Sequence, residues 1–204
     1  MTRRGHVTAI AVLGLPLIGG HVAQFAIGLT DTVMLGWYGV EALAAVTLAS
    51  TYFFVLFLLG AGFGFAVMPM VAAAAGAGED RQIRRCTRMG LWLSLAYGVI
   101  VMPMFVFARP ILDILGQEPV IAEMAASYLR VAGWGVFPAL LVMVLKSYLA
   151  ALERTQIVLW VTIGAALTNA AVNYALIFGN WGAPELGVRG AAIASFSTQV
   201  VSFV

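Results

Sequence analysis

The stretch Leu43–Ala77, LAAVTLASTYFFVLFLLGAGFGFAVMPMVAAAAGA, holds no Asp, Glu, Lys, Arg or His. A helix needs only about 20 apolar residues to cross the ~30 Å hydrocarbon core of a bilayer. Working outward, five more apolar stretches repeat the pattern, separated by charged or Gly/Pro-containing breaks. The sequence therefore predicts six membrane spans, at about 7–37, 43–77, 89–108, 120–152, 157–178 and 188–204. The first, second and fourth exceed the minimum length, so tilting or kinking is expected. Pro16, Pro69 and Pro138 lie inside them and are the expected kink points.

Composition supports the same reading. Of 204 residues, 62% are hydrophobic and 10% charged, against about 45–50% and about 25% in ordinary soluble domains. Mean hydropathy is +0.99. A soluble fold of this size still exposes roughly a third of the surface of its unfolded chain, too much for this composition to tolerate. A soluble enzyme, a disordered region and a nucleic-acid binder are thereby excluded. What remains is an all-α, multi-pass membrane protein whose first partner is the lipid bilayer. Cys86 is the single cysteine and cannot form an intrachain disulfide, and no zinc-type spacing accompanies it.

The opening Met1-Thr2-Arg3-Arg4 could begin a signal peptide, but the apolar run continues for about 30 residues with no small-residue cleavage site, so a retained first span is expected. Alternate connections differ in charge. Arg3, Arg4, Arg81, Arg84, Arg85, Arg88 and Arg154 fall on one side; Arg109 and Arg189, with Glu41, Asp113, Glu118 and Glu185, fall on the other. Positive residues stay inside, which predicts a cytoplasmic N-terminus in an inner membrane. The last span stops at Val204 without a polar tail, which reads as truncation of a longer chain.

Polar residues inside the spans carry the function. A carboxylate near a helix centre costs ~2.5–3.5 kcal/mol on insertion scales, and such acids are usually functional. Asp31 lies six residues from Trp37, hence ~9 Å below that end of the span. Gln24, seven residues earlier, shares its helix face, which is expected to look inward. Asn169 and Asn173 stack on one face of the fifth span. Asn173 is six residues from Gly179 and Ser195 seven from Val188, placing both ~9–10 Å deep. An acid, an amide and a hydroxyl thus share a level. Helix–helix hydrogen bonding would also account for the amides. An oxygen set of Asp31, Asn173 and Ser195 suits a hard cation such as Na⁺. The same residues can hold a proton, because amides bond either form of an acid. No organic cofactor or other metal is called for.

Other features have simpler readings. Gly60-Ala61-Gly62-Phe63-Gly64 lies within a span and serves close helix packing rather than a nucleotide. His21, a turn from Gln24, reads as a hydrogen-bonded packing histidine, and Lys146 as a side chain that snorkels out. For deeper Arg130, snorkelling stands level with pairing or a cavity-facing role. Glu79–Arg88 reads as a solvated loop, and Trp37, Trp134, Trp160 and Trp181 include interface anchors.

Three segments resemble the multidrug and toxic compound extrusion (MATE) family. Asp31-Thr-Val-Met-Leu-Gly36 with Gly39 and Glu41-Ala-Leu-Ala-Ala45 is similar to the family's first-span signature. Leu115-Gly-Gln-Glu-Pro119 with Tyr128-Leu-Arg130 is similar to its span 3–4 region. Asn169-x-x-x-Asn173-Tyr-x-Leu-Ile-Phe-Gly179 and Leu186-Gly-Val-Arg-Gly-Ala-Ala-Ile-Ala-Ser195 complete the set. The resemblance implies one six-helix lobe of a twelve-helix transporter. A second lobe, in the same chain or as a second copy, would complete it. It also implies a secondary antiporter that exports cationic, amphipathic compounds by alternating access against H⁺ or Na⁺. On that resemblance Asp31, Asn169, Asn173 and Ser195 fall on the family's cation site, where a second acid can replace Asn173 and threonine can replace Ser195. Pro16 matches a helix-bending proline. Gln24 and Tyr38 are candidate cavity-lining residues.

Rival readings are a flippase for lipid-linked precursors, which needs a basic cavity, an intramembrane protease, and a half-length chain that no longer transports. For a protease, His6 and His21 are the only histidines, and no nucleophilic serine motif or second deep acid accompanies them.

Overall fold

A computed structural model describes the backbone of residues 3–203 and the side chains of residues 12 and 14–203. Arg3, Arg4 and His6, used above for orientation and against a protease, fall outside the described side chains, as does Val204. The helices are α1 (Arg3–Tyr38), α2 (Val40–Gly76), α3 (Asp80–Val106), α4 (Ala108–Ile114), α5 (Pro119–Ala132), α6 (Val136–Ala151), α7 (Thr155–Phe178) and α8 (Val188–Phe203). Among the described residues, α2, α3, the α5–α6 pair and α7 are long and apolar enough to cross a membrane.

Two expectations change. The fourth stretch does not kink at Pro138. It breaks earlier, at a 3₁₀ turn over Gly133–Gly135, because the proline ring has no N–H for the carbonyl four residues back, that of Trp134. The Glu79–Arg88 run is not a loop, since α3 begins at Asp80. Its arginines are exposed while Ile83 and Cys86 are buried, so an amphipathic turn carries the charges and still contributes to the core. By contrast, α1 and α2 remain continuous helices through Pro16 and Pro69.

Helix ends are set by local chemistry. After α2, Gly78 takes φ +73°, its N–H bonds to Ala75, and the Glu79 N–H reaches Ala74, a closure that spares the last carbonyls. The same closure ends α6, but there the left-handed residue is Glu153, at φ 60°. Within the helices, the hydroxyls of Thr47, Thr51, Thr162 and Thr198 bond the carbonyl four residues back, which satisfies these hydroxyls in an apolar setting.

The packing has two parts. α1 lies mainly on α7, which lies on α8; α2 lies on α3, α5 and α6; contacts of α5 and α6 with α8 join the two. Small residues allow close approach. A Cβ at Gly60 would sit 2.5 Å from the Tyr97 ring, one at Gly64 2.7 Å from Met143, and one at Gly98 2.7 Å from Phe137. The glycine-rich stretch of α2 is thus a packing surface. The main core gathers Leu35, Phe105, Leu112, Leu129, Leu140 and Ile177, while Val67, Val71, Ile83 and Val144 form a second cluster. The exterior is apolar instead of polar, with Leu15, Phe25, Leu59, Trp92 and Ile100 all exposed. That exterior requires lipid rather than water.

Candidate cation site between α1 and α7

The α1–α7 contact brings Asp31 against the two asparagines. Asn173 Nδ2 donates to Asp31 Oδ1 at 2.5 Å and to Asn169 Oδ1 at 3.2 Å. Asn169 and Asn173 are both 0% exposed, and Asp31 is partly buried. The one-turn spacing of the amides on α7 is what lets a single NH₂ group bridge both partners. Two buried atoms of this cluster remain unpaired among the described residues, the acceptor Asn173 Oδ1 and the donor Asn169 Nδ2. Buried polar atoms without partners are rare and costly. An acceptor oxygen beside a carboxylate is chemistry that a cation or a proton satisfies.

Ser195 meets a different partner. Its hydroxyl and that of Tyr128 lie 2.9 Å apart, and no hydrogen bond joins Ser195 to Asp31 or Asn173 among the described residues. Tyr128 is buried, comes within reach of Ser50 on α2, and lies in the field of Asp31. It links α5 to α8, and sequence reasoning did not single it out. The only signal was its place in the Tyr128-Leu-Arg130 segment.

The other expected residues lie elsewhere. Gln24 is exposed and makes no side-chain hydrogen bond among the described residues, so it takes no part in the Asp31–Asn173 pair. Tyr38 sits at the end of α1, edge-on to Phe178 and beside Glu185. His21 is exposed, not packed, and Arg130 is exposed as well. Arg109 pairs with Asp113 at 3.0 Å and with Glu123; the two acids hold its guanidinium above the ordinary arginine range. Among the described residues, no three His, Cys, Asp or Glu side chains come together as metal ligands.

A bundle of membrane-length helices with an acid–amide cluster between two of them defines a multi-pass membrane protein. Residues 16–175 match the MatE family model, and the chain belongs to that family, the MATE transporters. It is 46% identical over 196 residues to a probable multidrug resistance protein NorM of Rhizobium meliloti (strain 1021), covering 96% of this chain and 42% of the relative. An outward-facing structure of a multidrug resistance MATE family transporter of the MOP superfamily superposes with a TM-score of 0.86 at 26% identity, covering 95% of this chain and 42% of that one. The inward-facing conformation gives 0.81 at 26% identity, with 95% and 43% covered. The chain therefore spans about two fifths of the length of the relatives it matches. It belongs to a family of transporters and not of enzymes, which sets the protease readings aside.

Proposed function

We propose that this chain forms one lobe of a secondary antiporter that exports cationic, amphipathic compounds in exchange for H⁺ or Na⁺. On this reading it lies in an inner membrane with its N-terminus in the cytoplasm, and a second lobe, from the same chain or a second copy, closes the cavity. The observation that carries the reading is the Asp31–Asn173 pair, with the Asn173 Oδ1 acceptor buried and unpartnered beside the carboxylate. Asp31 binds the coupling cation and thereby biases the lobe away from its cargo-holding state. A cation crossing 100 mV contributes ~2.3 kcal/mol. That drives exchange only if cargo and ion favour different conformations.

The test is Asp31→Asn in the full-length natural protein, reconstituted in vesicles with a fluorescent organic cation. Export driven by an imposed gradient is expected to disappear while the amount of protein in the membrane stays unchanged. Undiminished efflux would reject the assignment. A pH gradient alone that sustains wild-type export identifies the proton as the coupling ion, and a sodium gradient alone identifies Na⁺.

A further inference from the structure

At the start of α3 the arginines are arranged in a way that membrane orientation alone does not require. With 3.6 residues per turn, Arg81, Arg85, Arg88 and Trp92 fall within a ~60° arc of the helix surface. All four are exposed, Trp92 at 69%. They line an open groove of about 1040 Å³ together with Gly78, Glu79, Asp80, Gln82 and Met89. Arg84 flanks the same stripe. None of these arginines forms an ion pair among the described residues; the salt bridges found there belong to Arg109. Glu79 and Asp80 leave the groove with excess positive charge.

We propose that this groove holds the phosphate head groups of anionic phospholipids from the adjoining leaflet. Arg81, Arg85 and Arg88 bind phosphate oxygens, for which the planar guanidinium fork is suited. Trp92 lies one turn, ~6 Å, beyond Arg88 toward the apolar part of α3, at the level where an indole ring meets the glycerol and upper acyl chain. Met89, 55% exposed, continues that apolar floor. The union of charge above and exposed apolar surface below selects a lipid. An acidic soluble segment would meet the arginines and leave Trp92 and Met89 without cover.

The experiment uses the full-length natural protein in nanodiscs of phosphatidylcholine, alone or mixed with phosphatidylglycerol, followed by native mass spectrometry of the lipids retained. The wild type is expected to retain phosphatidylglycerol in preference to phosphatidylcholine. Each arginine near an anionic surface is worth about fivefold in affinity, so Arg81→Gln/Arg85→Gln/Arg88→Gln should weaken retention on the order of 100-fold. Arg189→Gln, in the first turn of α8, should leave it unchanged. Equal retention of both lipids by the wild type, or full retention by the triple variant, would overturn the proposal. So would stabilisation of the detergent-solubilised wild type by inorganic phosphate as large as that by phosphatidylglycerol. If the triple variant does not fold, salt decides with the wild type alone: retention must fall as salt rises, and retention indifferent to salt overturns the assignment.

Discussion

Tyr128 shows how one residue can extend a site. Its hydroxyl meets Ser195 at 2.9 Å in a buried setting. A buried neutral hydrogen bond is worth about 0.5–1.5 kcal/mol, with a further penalty where a partner is left bare. Tyr128→Phe is accordingly expected to lower the thermal midpoint in detergent. Ser195→Ala added to it should cost less than its separate effect, a non-additivity that a double-mutant cycle measures. Additive losses would show that the two hydroxyls do not act as a pair. The acid and the amides of the cluster were legible in the sequence because a carboxylate or an amide in an apolar span has to be explained. Tyr128 was not, because a tyrosine in a membrane helix is ordinarily a membrane-interface or packing residue and its hydroxyl leaves no mark on hydropathy.

Among the helices, Glu153 closes α6 in a left-handed conformation, at φ 60°, in a position where glycine closes α2. The left-handed region costs a non-glycine residue roughly 1–2 kcal/mol, and Glu153 is exposed, so nothing in the packing depends on its side chain. Glu153→Gly is expected to raise stability by about 1 kcal/mol despite glycine's greater freedom in the unfolded chain, read as a higher thermal midpoint. Gly60→Ala should act in the opposite direction. Its Cβ would lie 2.5 Å from a Tyr97 ring whose hydroxyl is tied to the Leu56 carbonyl at 2.6 Å, so the ring has little freedom to yield. Overpacking of this kind costs typically 1–3 kcal/mol, and an unchanged midpoint would show that the interface gives way. Helix positions were readable from runs of apolar residues, and α7 and α8 start within two residues of where hydropathy put them. What hydropathy missed was backbone chemistry: the interruption falls at the carbonyl that Pro138 cannot bond, not at Pro138 itself. It also cut α3 short, because four arginines lower the average even when Ile83 and Cys86 turn inward.

The whole molecule divides into a tightly interlocked group, α2 with α3, α5 and α6, and a second group in which α1 rests chiefly on α7. The first group meets through glycines that allow near contact. Across the α1–α7 contact the described side-chain hydrogen bond is the one from Asn173 to Asp31. Between Pro16 and Asp31 runs a rigid arm of ~22 Å at the helical rise per residue. A turn of only ~10° at Pro16 would swing the end of such an arm by ~4 Å, farther than the ~3 Å over which a hydrogen bond holds. In mechanical terms α1 is a lever with its fastening at the far end. If that carboxyl takes up the coupling cation as proposed, any such swing must also slide α1 across its broad packing surface on α7.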